Sequence, residues 1–253
     1  MYKNELKVAK DIARQAGDII MEYFDGDQEL AHKADGSVVT IADKKVNSMV
    51  IAELQKHFDD GIIGEEESTA DFGSGRKWFC DPIDGTKAFV IGVPTAMFSL
   101  ALVIDGSPVL GIAYNPFLDH MYWGIKGHGS YRNNTKIKVS KGKLKDNYVL
   151  MSSSIEKLVE EPDAVKKLAE IDAKPTSLPG AVFKSCLVAQ GKVVGYFEPV
   201  VYAHDMAAVD VIITEAGGMV TSLEGKKLDY TKPFIGAAVS NKVIHSELLN
   251  CLK

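Results

Sequence analysis

From residue 6 to residue 24 the apolar side chains fall at Leu6, Ala9, Ile12, Ala13, Ala16, Ile19, Ile20 and Tyr23. That helical period with one apolar face predicts a long amphipathic helix whose role is packing, ended by Gly26 and Asp27. Ala34-Asp35-Gly36-Ser37 predicts a turn before Val38-Val39-Thr40, and a second helix continues through Val46, Met49, Val50, Ile51, Leu54 and Phe58. A short apolar strand at 61–64 then runs into Glu65, Glu66 and Glu67. Apolar runs at 97–104 and 109–114 flank Asp105-Gly106-Ser107-Pro108, the signature of a β-hairpin. With a further strand at 121–125, the stretch from 97 to about 139 is expected as an antiparallel meander.

Beyond it the pattern predicts a strand at 148–152 and a helix around 164–169, then a break between Pro175 and Pro179. A buried helix at 183–189 and a strand at 193–197 ending at Glu198-Pro199 follow. A helix from Asp205 is closed by Gly217-Gly218, and strands at 219–221 and 234–239 precede a final helix from Asn241.

The chemistry concentrates in Trp78-Phe79-Cys80-Asp81-Pro82-Ile83-Asp84-Gly85-Thr86. Pro82 has no N–H and a fixed φ, so the chain is expected to leave any sheet there, and Gly85 permits a positive φ or close approach of a ligand. Two hard oxygen ligands on a stiff turn suit Mg²⁺, although Asp, Pro and Gly also build ordinary turns. Other acids share the setting: Glu65 and Asp81 end apolar strands, while Asp43 and Asp205 open helices. Strand ends and helix N-termini gather at one rim of an α/β sheet, where ligands bind. Taken alone, Asp43 reads as a helix cap.

Composition narrows the class. With 253 residues and 46% hydrophobic content, the chain supports one large α/β domain over 1–253, with possible subdomains at 1–145 and 146–253. Its formal charge, 29 − 34 = −5, leaves no electrostatic footprint for nucleic acid or an anionic membrane, and an acidic chain that handles phosphate needs a metal. Cys80, Cys186 and Cys251 fit neither a disulfide framework nor a zinc site, so reduced thiols in a cytoplasmic protein are expected. The first residues lead into an amphipathic pattern instead of an apolar signal region, and the longest apolar run is too short to span a bilayer.

Gly64-Glu65-Glu66, the block from Trp78 to Thr86, and His204-Asp205-Met206-Ala207-Ala208 with Glu215-Ala216-Gly217-Gly218 resemble, in that order, the signature blocks of the inositol monophosphatase family. The resemblance covers nearly the whole chain. It implies a layered α/β/α/β/α sandwich with mixed and antiparallel sheets, two or three Mg²⁺ ions, lithium sensitivity and a homodimer. By position, Glu65, Asp81 and the Ile83 carbonyl would hold one metal, and Asp81, Asp84 and Asp205 a second, with Glu65 also serving a looser third. Thr86, supported by Asp43, would orient and deprotonate the attacking water, and the Gly85 and Thr86 N–H groups would bind phosphate. The implied reaction is hydrolysis of a phosphate monoester by in-line attack of metal-activated water, with no protein nucleophile.

Subfamily features are mixed. His204 stands where the family commonly has tryptophan; it could meet metal, phosphate or substrate, or be a packed side chain. Glu198 aligns with an acid that contacts substrate hydroxyls or, in histidinol phosphatases, a cationic amine. Phe183, Ser185-Cys186-Leu187-Val188-Ala189 and Glu198-Pro199 resemble that branch, whereas Ala181 stands without its acidic residue and Lys184 is similar to phosphoadenosine phosphatases. The expected substrates are myo-inositol 1-phosphate or L-histidinol phosphate, with a 3′(2′),5′-bisphosphate nucleotidase as the alternative. From a different class stands a non-catalytic binder of phosphorylated metabolites, motivated by His204 alone.

Overall fold

A computed structural model describes residues 2–26, 28, 30–32, 38–152 and 162–253. The chain opens with helix α1 (Lys3–Phe24), a two-stranded pair β1 (Ala31–His32) and β2 (Val38–Val39), and helix α2 (Ile41–Gln55). The turn expected at 34–37 lies outside the described residues. Strands β3 (Gly61–Gly64), β4 (Arg76–Asp84), β5 (Met97–Ile104), β6 (Ser107–Asn115), β7 (His120–Ile125), β8 (Gly129–Arg132) and β9 (Thr135–Ile137) form one sheet in sequence order. Only β3 and β4 run parallel; the rest is the expected meander. The β5–β6 hairpin turns through Asp105 and Gly106, both at positive φ (47° and 71°), as a tight two-residue turn demands.

The second sheet has the order β11-β10-β12-β14-β13, from β10 (Tyr148–Met151), β11 (Lys174–Ser177), β12 (Gly195–Glu198), β13 (Met219–Thr221) and β14 (Ala237–Ser240). It is mixed, with β10 parallel to both β11 and β12 and the remaining pairs antiparallel. Its helices are α4 (Pro162–Glu170), α5 (Ala181–Ala189), α6 (Ala203–Glu215) and α7 (His245–Cys251); a short α3 (Thr86–Val90) follows β4.

Three apolar cores set the layers. α1 and α2 cover one face of the first sheet around Ile12, Val46, Trp78 and Leu100. α5 and α6 lie between the sheets, where Val182, Met206 and Ile212 meet Phe79 and Ala113 on one side and Tyr196 and Val239 on the other. α4 and α7 cover the far face of the second sheet around Leu168, Leu248 and Phe197. The result is the expected α/β/α/β/α sandwich. Each core holds one buried free thiol: Cys80 in the first, Cys186 in the central and Cys251 in the last.

Three local expectations need correction. Pro82 lies inside β4, not beyond its end: pairing with β5 runs to Asp81↔Ser99, slips, and resumes at Asp84↔Met97. Pairing of β4 with β3 has already stopped at Cys80, so residue 82 occupies a bulge where no ladder N–H is needed. The break expected between 175 and 179 contains β11, where Pro175 is accommodated because β11 is an edge strand. The final helix starts at His245 and not at Asn241, whose Oδ1 instead accepts from the Ile244 N–H just ahead of it.

Candidate active site

β4 delivers Asp81 and Asp84 to its C-terminal end on opposite sides of the bulge, and α6 brings Asp205 in its first turn. One oxygen from each of these three carboxylates lies within 4.8 Å of the others. Asp84 is fixed from both sides of its carboxylate: Oδ1 accepts from Ala181 N–H and Oδ2 from Val182 N–H, each at 2.9 Å. The start of α5 is thereby anchored to the end of β4. Asp205 Oδ2 accepts from the Tyr202 N–H at 2.6 Å, which secures the start of α6.

These carboxylates are not relaxed. Burial, followed by the charges of Glu65, Asp205 and Asp84, pushes the Asp81 carboxyl well above the ordinary range. Asp84 is pushed up to about 7 by burial and by Asp205, against the pull of the Ala181 and Val182 amides and of Lys184. Asp205 is also raised, chiefly by burial. Asp81 Oδ1 is buried without a hydrogen-bond partner among the described residues. Hard oxygens crowded until they repel, one of them unpartnered, form a donor set that fits a divalent cation such as Mg²⁺.

Glu65 follows β3, its N–H donating to the Cys80 carbonyl, and its charge acts on Asp43, Asp81 and Asp205. Asp43 sits in the first turn of α2 and forms a capping box with Thr40. Its Oδ2 accepts from the Thr40 N–H (2.7 Å) and hydroxyl (2.6 Å), while Oδ1 is buried without a partner among the described residues. Burial, with Glu65 and Glu66 adding, raises its carboxyl to about 6. Thr86 Oγ1 donates to the Ile83 carbonyl at 3.1 Å, so the hydroxyl and carbonyl expected to serve the site are already in contact.

Gly85 has a φ of 84° and opens α3, and Gly180 has a φ of 82° and opens α5. A Cβ on Gly85 would lie 3.3 Å from Gly180 Cα, and one on Gly180 would lie 2.9 Å from Asp84 Oδ2. The two turns therefore meet backbone to backbone beneath the acids. The sequence pattern did not single out Gly180, although its signal, a glycine immediately before a buried helix, was present.

The expected substrate residues separate. Ala181 reaches the site through its N–H on Asp84. Lys184 and Glu198 are both buried and pair at 2.8 Å, with Tyr196 Oη donating to the same carboxylate oxygen at 3.4 Å. Glu198 is thus no solvated strand end, and Tyr196 is a partner that the sequence reading did not single out. His204 lies against Tyr202, ring centroids 5.7 Å apart, with Nε2 3.7 Å from Asp205 Oδ1.

Comparison with known proteins agrees with this architecture. The inositol monophosphatase family model matches residues 1–252. A histidinol-phosphatase from Mycobacterium tuberculosis is 32% identical, covering 100% of this chain and 99% of its own. An inositol monophosphatase 1 from Solanum lycopersicum is 32% identical over 92% of this chain and 89% of its own. Among solved structures, an IMPase from Thermotoga maritima superposes with a TM-score of 0.88 at 27% identity, covering 100% of this chain and 97% of that one. With the family matched from end to end and the fold shared, the chain belongs to the inositol monophosphatase family and is a phosphoric monoester hydrolase.

Proposed function

We propose that this phosphatase is Mg²⁺-dependent and hydrolyses a small polyol or amino-alcohol phosphate by in-line attack of water. The observation that carries the reading is the cluster of the buried Asp81 and Asp84 with the partly buried Asp205, whose mutual repulsion calls for cations. Asp81, Asp84 and Asp205, with Glu65 and the Ile83 carbonyl, would hold two or three ions. When bound, Mg²⁺ offsets the charge of the phosphate dianion, makes water a stronger acid and stabilises the leaving alkoxide.

The chain's own groups do the positioning. Ala181 and Val182 N–H hold Asp84 in one orientation, so its carboxylate needs no reorganisation during reaction. The Gly85 and Thr86 N–H groups open α3 and would receive phosphate oxygens. Thr86 Oγ1, whose proton points to the Ile83 carbonyl, would orient the attacking water by accepting a hydrogen bond from it, and Asp43 would take up the proton that the water loses. Glu198 would contact the alcohol that leaves. Lithium is expected to inhibit by competing for a Mg²⁺ position.

Turnover of myo-inositol 1-phosphate, L-histidinol phosphate and adenosine 3′,5′-bisphosphate tests the reading, with Mg²⁺, with EDTA, and with Asp84→Asn. Hydrolysis of one of the first two esters is expected only with Mg²⁺, and Asp84→Asn should lower kcat by roughly a hundredfold or more, since changes even behind a metal ligand cost 10–100-fold. Undiminished activity in EDTA or in the variant would overturn the mechanism.

A further inference from the structure

One buried charge at this site is positive. Lys184, one turn into α5, is 1% exposed, and its ammonium meets three groups: Glu198 Oε2 at 2.8 Å, the Met151 carbonyl at 3.2 Å and the Tyr196 ring, centroid 4.6 Å away. An ammonium has three protons to donate. A carboxylate, a carbonyl and a ring face account for them, so Lys184 has no remaining donor for a substrate phosphate. Glu198 is equally constrained on one side only. Its Oε2 receives Lys184 and the Tyr196 hydroxyl, while its Oε1 is buried without a partner among the described residues.

A lone buried carboxylate attracts a cation, because an uncompensated charge away from water is costly. Here the chain supplies that cation itself. The Lys184–Glu198 pair is neutral as a unit, and an ammonium arriving with a substrate would have to shed its water beside a buried positive charge. A hydroxyl asks less: it needs one acceptor, and Glu198 Oε1 is one. The pair is also held in register with the acid cluster, since α5 binds Asp84 through the Ala181 and Val182 amides and Glu198 through Lys184, within the same first turns.

We propose that Lys184 is a positioning residue that sets substrate class. By occupying Oε2 it turns Glu198 from a group that binds ammonium into an acceptor for an uncharged hydroxyl, so the preferred ester is that of a polyol and not of an amino alcohol. The proposal rests on the phosphatase reading above, with Glu198 facing the leaving alcohol.

The test is kcat/KM with Mg²⁺ for myo-inositol 1-phosphate and L-histidinol phosphate, in the wild type, in Lys184→Gln and in the double variant Lys184→Gln/Glu198→Gln. The wild type should favour the inositol ester by about tenfold or more, a margin that one buried charge can supply. Lys184→Gln should move the ratio at least about tenfold toward the histidinol ester, mostly through KM, a change that a purely structural lysine would not produce. The double variant, neutral again, should return to the wild-type preference. A wild type that favours the histidinol ester, or a ratio unmoved in a folded Lys184→Gln, overturns the proposal. If Lys184→Gln does not fold, the double variant decides: a preference like the wild type's supports the idea, and one displaced more than about tenfold sinks it. Absence of Mg²⁺-dependent turnover of either ester in the wild type would sink the phosphatase reading together with this one, whereas turnover with an unmoved ratio removes this one alone.

Discussion

Asp210 shows what burial does to a carboxylate that has hydrogen bonds but no metal role. It lies on α6, accepting from the Tyr230 hydroxyl at 3.0 Å and from Thr214 Oγ1 at 3.3 Å. Burial still raises its carboxyl to about 6, with the two hydroxyls and Lys227 offsetting only part of the effect. The folded protein therefore holds this proton more tightly than the unfolded chain, where an aspartate titrates near 4. The group's contribution to stability is full below about 4 and is lost as pH rises through about 6. Asp210→Asn removes the partly buried charge and keeps an acceptor for Tyr230. It should be more stable than the wild type at pH 8, by roughly 2 kcal/mol, and indistinguishable from it near pH 4. Thermal melts at the two pH values decide the matter, and equal melting of variant and wild type at pH 8 would refute it.

At the scale of elements, the junction between β4 and α5 carries the site. Gly180→Ala puts a Cβ 2.9 Å from Asp84 Oδ2 at a φ of 82°, a conformation that alanine resists. The substitution should displace Asp84 and lower kcat about tenfold to a hundredfold, the cost typical of disturbing the groups behind a metal ligand. Circular dichroism should still report a folded chain; full activity in Gly180→Ala would show that the two glycine turns do not govern Asp84.

The same junction separates what could be read in the sequence from what could not. The long helices, the 97–139 meander and the 105–106 turn were legible because periodicity and turn chemistry are local. The acids at 81, 84 and 205 were legible through their motif. The bulge at Pro82 was not, because whether a proline ends a strand or bulges within it depends on where neighbouring strands stop pairing. Nor was the packing of α6 on bare backbone, where a Cβ on Gly111 would lie 2.3 Å from the Ala208 carbonyl. The Lys184–Glu198 pair is non-local in the same way: a helix and a strand end 14 residues apart meet only in the folded chain.

In the whole molecule, the acid cluster draws on the first sheet through Asp81 and Asp84 and on the helical layer between the sheets through Asp205, so an ion that binds there ties the two layers together. Mg²⁺ should stabilise the entire fold, by about 2.7 kcal/mol at a hundred times its dissociation constant. The effect should be largest at pH 8. Toward pH 5 it should shrink, because Asp84, raised to about 7, then binds a proton in competition with the metal. Melting curves with Mg²⁺ and with EDTA at both pH values check this; a melting temperature indifferent to Mg²⁺ at pH 8 would contradict it. Among the described residues no helix is long and apolar enough to cross a membrane.

The three cores each keep one thiol out of reach, and burial pushes all three thiols above their ordinary pKa, so that each stays protonated at neutral pH. Oxidation by peroxide or a disulfide begins with attack by a thiolate that solvent can reach. As long as the sandwich stays closed, its thiols are therefore indifferent to the redox potential around them, and a chain that does become oxidised at Cys80 or Cys186 has first come apart.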